Sequence, residues 1–153
     1  MRARDLAQPY PTATLDTDAM EAARAMASAR LPGLLICDQQ GRPYAVLPGS
    51  QVLRFVIPAY VQDDPALAGA LDERASDELC RRLQGATVRT LLPASRHGDD
   101  LPVVHGDATA LQVAALMARK RSPLVAVVAG ERVLGVITVS DLLGYLLPAD
   151  GAP

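Results

Sequence analysis

Apolar and polar positions change period several times along this chain, and each change marks the edge of an element. Residues 12–15, 34–37 and 44–47 are short runs of strand length. Between the first two, Met20, Ala23 and Ala27 recur at the i, i+3, i+7 spacing of an amphipathic helix, which predicts that they form its buried stripe. Asp16 stands where that helix should begin, its carboxylate suited to capping the first-turn N–H groups, and Pro32 stops it. A turn carrying Gly41 joins the next two strands, a second helix spans 50–56, and Pro58 ends it.

The same succession then returns. Residues 102–105 form a strand, Asp107 caps a helix with Leu111, Ala114 and Ala118 as its stripe, and Pro123 stops it. Strands 124–128 and 133–137 flank Gly130, and a helix over 140–147 runs up to Pro148. Residues 16–37 overlay 107–128 without a gap at an offset of 91: Asp16 on Asp107, Met26 on Met117, Arg30 on Arg121, Pro32 on Pro123. Past the turn the offset is 90, which puts Ala45 on Gly135, Pro48 on Thr138 and Gln51 on Asp141. Composition alone can align two Ala-rich segments, but not caps, prolines and turns in one order. The unit is β-α-β-β-α, roughly fifty residues long, a repeat of the size that buries its core by stacking on a neighbour.

One such unit carries both helices on one face of its sheet and leaves the other face bare, so its twin is expected to cover it. The predicted fold is α/β (α+β): two pseudo-symmetric β-α-β-β-α repeats packed through their sheets into one compact module, with clefts where the sheet ends meet. The expected boundaries are 1–60 for the first repeat, 61–87 for a helical linker, 88–148 for the second repeat and 149–153 for a C-terminal tail. In the linker, Leu67, Leu71, Leu79 and Leu83 fit helical spacing and Asp64-Pro65 suits a helix start. The linker reads as a helix packed on its own domain, or as a docking surface or dimer contact.

Composition narrows the function. The chain has 153 residues, half of them apolar, which is enough to bury a core. Lys+Arg 15 against Asp+Glu 17 leaves a net charge of −2, without the basic excess of a nucleic-acid binder or an anionic-membrane binder. Aromatic residues are only 3 %, too few for a base-stacking platform. No apolar run approaches the ~18 residues of a membrane span. Residues 52–61 come nearest, and Arg54 and Pro58 break them. The opening Met1 to Leu6 lacks the apolar stretch of a signal peptide. Cys37 and Cys80 read as small buried hydrophobes in a reducing compartment. These features predict a soluble, cytoplasmic protein with no membrane insertion and no nucleic-acid partner.

Catalytic patterns are missing. His97 and His105 are the only histidines, and neither has a Cys or His partner at metal-ligand spacing. No P-loop, G-x-G-x-x-G or G-x-S-x-G occurs. Asp63-Asp64 and Asp99-Asp100 fit turn and cap roles, so the chain is not expected to be an enzyme or to hold a metal.

The second repeat ends in Gly135-Val136-Ile137-Thr138-Val139-Ser140-Asp141-Leu142-Leu143, of the form G-h-h-[ST]-x-x-D-h-h with h apolar. With the β-α-β-β-α duplication, and with the lead-ins Arg4-Asp5-Leu6 and Val88-Arg89-Thr90-Leu91, this pattern resembles a CBS-domain pair, the Bateman module, standing alone. The resemblance implies a regulatory sensor that binds an adenosine-containing ligand (AMP, ADP, ATP or S-adenosylmethionine) between the repeats and signals to a transporter or enzyme partner. It also implies a homodimer, with no required cofactor. A carboxylate in the first turn of a helix can accept both hydrogen bonds of a ribose diol, which gives Asp141 that role, with the Thr138 and Ser140 hydroxyls beside it. By the family's pairing, Tyr10, Pro11 and Thr12, together with Pro32 and Gly33, supply an apolar slot for adenine. Thr138-x-x-Asp141 before an apolar run also matches a capping box, and a cap residue can touch a ligand as well. Arg119-Lys120-Arg121 could reach a phosphate or simply complement a helix C-terminus. In the first copy Pro48 and Gln51 replace the Thr and Asp, and a carboxamide offers a diol one acceptor rather than two. One working adenosine site is therefore expected, with the other cleft empty or binding otherwise. The alternative is a structural or protein-interaction module without nucleotide binding.

Overall fold

The computed structural model describes residues 1–93 and 101–150. His97 and Asp99-Asp100 lie outside the described residues. The first repeat contains strand β1 (Thr12–Ala13), helix α2 (Ala19–Ala29), strands β2 (Gly33–Cys37) and β3 (Pro43–Pro48) and helix α3 (Gly49–Val56); a short helix α1 (Ala3–Leu6) precedes it. Helices α4 (Ala59–Asp63), α5 (Glu73–Cys80) and α6 (Val88–Leu91) follow. The second repeat is β4 (Val103–His105), α7 (Ala110–Lys120), β5 (Leu124–Ala129), β6 (Arg132–Thr138) and α8 (Val139–Leu146).

The duplication extends to the hydrogen-bond ladders. In each three-stranded sheet the middle strand pairs parallel with the strand before it and antiparallel with the strand after it. Thr12 opposes Leu35 as Val103 opposes Ala126, and Leu35 opposes Val46 as Ala126 opposes Val136. Both hairpins shift register at the same step, between Ile36 and Cys37 and between Val127 and Val128.

β2 is buried along its whole length, as is β5 from Leu124 to Val128, the mark of strands covered on both faces. Alternate residues serve different cores, because successive side chains point to opposite faces. Leu34 and Ile36 pack under the first repeat's helices, and Val125 and Val127 under the second's. Leu35, Cys37, Leu124, Ala126 and Val136 meet in a third cluster where the two sheets face each other. The predicted sheet-to-sheet packing is present.

Both long helices are rotated from the predicted stripe. Their buried residues are Ala19, Ala22 and Met26 in α2, and Ala110, Val113 and Met117 in α7. Ala27 and Ala118 are exposed, and Leu111 is 72 % exposed. In a helix this rich in alanine two adjacent stripes satisfy the same spacing, so the pattern does not fix the face. The caps differ too. Asp18 accepts from the Met20 N–H at 3.2 Å, and Thr109 forms a capping box with Gln112. Asp16 and Asp107 instead pair with Arg89 (2.9 Å) and Arg4.

Those ion pairs belong to an exchange of lead-ins. The Ala3 and Arg4 N–H groups donate to the Ala108 and Gly106 carbonyls, so α1 lies on the second repeat and buries Ala3 and Leu6 there. The Val88 and Arg89 N–H groups donate to Thr17 and Leu15, so α6 lies on the first repeat and buries Val88 and Leu91. Each repeat is thus completed by the segment that introduces the other.

Between the repeats, Asp72 caps α5 by accepting from the Ala75 N–H at 2.8 Å, and residues Pro65–Ala70 form a 3₁₀ turn. Leu83 is buried and Leu79 half-buried on the first repeat's core, whereas Leu67 and Leu71 are exposed. Cys37 is buried as expected, but Cys80 is exposed on α5, because the stretch around it carries too few apolar residues to cover it.

Candidate functional site

Two clefts related by the pseudo-two-fold lie at the sheet ends where β2 and β5 begin. In the first, α8 starts at Val139 because Thr138 caps it. The Asp141 N–H donates to Thr138 Oγ1 at 3.2 Å, and the Thr138 N–H donates to Asp141 Oδ2 at 3.3 Å. The capping box is therefore real. It leaves Asp141 Oδ1 without a hydrogen bond among the described residues, on an exposed side chain.

Tyr10 brings the first repeat to this place. Its O–H donates to the Gly33 carbonyl at 2.7 Å, and its ring packs against the cluster between the sheets. Burial raises its phenol pKa above the ordinary value, and the nearby Asp141 charge raises it further. The structure thus pairs Tyr10 with Gly33 and Thr138 with Asp141, and sets the Asp141 charge within electrostatic reach of Tyr10. Pro11 and Thr12 lie exposed at the start of β1, and Ser140 is exposed on α8. Pro32, just before Gly33, lines a separate groove on the helix side.

The second cleft is built differently. Gln51, at Asp141's position, donates from Nε2 to the Leu91 carbonyl at 3.1 Å, which ties α3 to α6. A cavity of about 200 Å³ on this side is lined among others by Ala45, Pro48, Pro93, Leu101, Lys120 and Arg121, while Gln51 itself borders a separate one of about 390 Å³ with Arg54, Phe55 and Thr90. Lys120 and Arg121 thus border the cleft without the carboxylate. Arg121, like Arg30, ends its helix in the left-handed conformation, with φ of 50° and 53°.

The asymmetry follows from residues that composition does not flag. Gln8 exchanges two backbone hydrogen bonds with Val136, at 3.0 and 2.9 Å. That approach requires Gly135, where a Cβ would lie 2.8 Å from the Gln8 carbonyl oxygen. In the other repeat these positions hold Pro93, which has no N–H, and Ala45. No corresponding bridge to Val46 forms among the described residues. Lining up the two lead-ins against the repeats would have revealed the Gln8/Pro93 difference.

His105 is exposed, its Nδ1 accepting from the Asp107 N–H at 3.3 Å. Among the described residues no group of three or more His, Cys, Asp or Glu could hold a metal, and no helix is long and apolar enough to cross a membrane. A larger groove of about 690 Å³ runs along the helix side between α7 and α8, bordered by Pro32, Pro48 and Ser50.

Duplicated β-α-β-β-α units joined sheet to sheet, with clefts shared between the copies, define a tandem-repeat module. A family model for the CBS domain matches residues 95–148. The crystal structure of a CBS domain-containing protein of unknown function from Kribbella flavida DSM 17836 is 49 % identical in sequence, with a TM-score of 0.80, and the match covers 97 % of this chain and 99 % of that one. The CBS domain of a CBS domain containing membrane protein from Sphaerobacter thermophilus is 22 % identical, with a TM-score of 0.68 over 96 % and 88 % of the chains. CBSX2, a CBS-pair protein from Arabidopsis thaliana, was crystallised in complex with AMP; that structure is 17 % identical, with a TM-score of 0.63 over 94 % of each chain. No curated protein matches. The chain belongs to the CBS-domain family, as a tandem CBS pair.

Proposed function

We propose that this CBS pair is a regulatory module whose Asp141 cleft binds an adenosine-containing ligand of the AMP, ADP, ATP or S-adenosylmethionine class. The observation that carries the reading is that the Asp141 charge, from the second repeat, acts on Tyr10 of the first, whose hydroxyl bonds Gly33. Asp141 Oδ1 supplies an anionic acceptor for a ribose hydroxyl, and Thr138 and Ser140 add hydroxyls at the same helix start. Pro11 and Thr12, exposed at the start of β1, are available on the first-repeat side. That CBSX2 was crystallised with AMP supports the ligand class. A ligand held by both repeats acts by preferring one relative arrangement of them over another. A transporter or enzyme partner would respond to that arrangement.

Calorimetric titration of AMP, ATP and S-adenosylmethionine into wild type and Asp141→Asn tests this. Asparagine keeps a side-chain oxygen for the Thr138 N–H, so the helix cap survives while the charge is lost. Binding to wild type that is lost or strongly weakened in the variant is expected. Absence of binding by all three, both to wild type and to a chain with Tyr10→Leu, refutes it and leaves an interaction module without nucleotide.

We also propose that the helix side packs against a second copy. Val139, Leu143 and Leu146 are exposed there next to the small Ala114 and Ala118, and the groove they border is mostly apolar. An apolar patch of this kind on a water-facing helix layer marks an association surface.

A further inference from the structure

The two clefts share one backbone plan, so a difference between them isolates what a side chain does. β1 and β4 occupy equivalent register, Thr12 on Leu35 and Val103 on Ala126, which sets Tyr10 against Leu101 and Pro11 against Pro102. Around Leu101 a cavity of about 200 Å³ stays open. Around Tyr10 the Gln8–Val136 bridge draws the lead-in onto β6, the ring enters the packing between the sheets, and the hydroxyl takes the Gly33 carbonyl at 2.7 Å. That carbonyl is a backbone acceptor engaged by a side chain rather than left to the solvent, of the kind the exocyclic amino group of a purine would use.

We infer that Tyr10 is a latch on the Asp141 cleft: it fills the space and uses the acceptor that a purine base needs, so a ligand enters only by displacing it. The inference rests on the adenosine reading proposed above and adds a regulation that reading does not contain. Its consequence is positional. Tyr10 follows Gln8 by two residues, so displacing the ring pulls on the segment that fastens α1 to the second repeat through the Gln8–Val136 pair and the Arg4–Asp107 ion pair. Ligand entry and release of the N-terminal lead-in are therefore the same event.

The test is titration of AMP into wild type, Tyr10→Phe and Tyr10→Leu, leucine being the residue the other cleft carries. The hydroxyl's bond is worth a few-fold in affinity, and with the ring's packing also removed the leucine variant is expected to bind about tenfold more tightly than wild type. Tyr10→Phe should fall between them, and it serves as the reference if the leucine variant melts well below wild type. Nitration of Tyr10 by tetranitromethane, read by mass spectrometry, should rise in wild type when AMP is added. Wild type binding AMP as tightly as both variants, or more tightly, overturns the latch and leaves the adenosine reading standing, with Tyr10 as part of the binding surface. Binding by Tyr10→Leu alone supports both. Binding by none of the three chains overturns both.

Discussion

Gly135→Ala measures how much the exchange of lead-ins depends on one missing methyl. The added Cβ would sit 2.8 Å from the Gln8 carbonyl oxygen and 3.0 Å from the Ala7 Cβ. Real Cβ atoms do not approach backbone oxygen that closely, so the lead-in must lift from β6. The two backbone hydrogen bonds between Gln8 and Val136 are then lost, at about 0.5–1.5 kcal/mol each. Alanine's stiffer unfolded chain offsets about 0.4–1 kcal/mol of that loss. The net cost expected is about 1–2 kcal/mol, a drop of roughly 3–6 °C in melting temperature for a chain of this size. Urea unfolding followed by circular dichroism gives the free energy. A second substitution sharpens the test. Gln8→Pro copies Pro93, and Ala7 is already extended (φ −65°, ψ 133°), as the residue before a proline must be. Proline removes the Gln8 N–H bond and keeps the carbonyl that accepts from Val136, so Gly135→Ala has one of the two bonds left to break and its cost in the Gln8→Pro background should fall by roughly half. Undiminished destabilisation in the double variant, or a stable Gly135→Ala single variant, would refute the reasoning.

Two further outcomes follow from the same geometry. Leu143→Glu places a charge in the exposed apolar face of α8; light scattering should show wild type as a dimer and the variant as a monomer with an unchanged far-ultraviolet spectrum, and a monomeric wild type would refute the proposed second-copy contact. Tyr10 has a phenol pKa raised in the folded state, so its contribution to stability is complete below the ordinary value of 10.0 and is lost as pH rises through the higher folded value. Between about pH 8 and 11 wild type should lose more stability than Tyr10→Phe, and equal losses would mean that the ring carries no such constraint.

The sequence made the repeat legible because its signals are punctuation rather than propensity. Pro32 and Pro123, the turns at Gly41 and Gly130, and Arg30 over Arg121 align in order, and the arginines prove to share a left-handed helix end. The sheet-to-sheet core was legible from the same logic, since a run such as Leu34-Leu35-Ile36-Cys37 must be covered on both faces. What alternation could not fix was rotation: in α2 and α7 an Ala-rich surface offers two neighbouring stripes, and contact with the sheet chose Met26 and Met117 rather than Ala27 and Ala118. That Asp16 and Asp107 do not act as caps was not legible, because a carboxylate three residues before a helix start looks the same in sequence whether it bonds its own helix or an arginine far away in the chain. The Thr138–Asp141 capping box was visible in the sequence, but Tyr10 beside it was visible only through the resemblance, because a lone aromatic near two prolines carries no periodic signal.

Duplication gives two equivalent clefts, and three positions are enough to make them unlike. Gly135 against Ala45 decides whether a lead-in can touch the strand, Gln8 against Pro93 decides whether it bonds there, and Tyr10 against Leu101 decides what then fills the cleft. None of these residues belongs to the Thr-x-x-Asp pattern, which differs as well, with Pro48 and Gln51 in the other copy. The differences act together. The copy that retains the carboxylate also has the bridged lead-in and the tyrosine, while the copy with the open cavity has a carboxamide committed to the Leu91 carbonyl. A cleft with a charged acceptor behind a displaceable ring is suited to responding to a ligand, because entry must move something. In the other copy the carboxamide already bonds the backbone and ties α3 to α6.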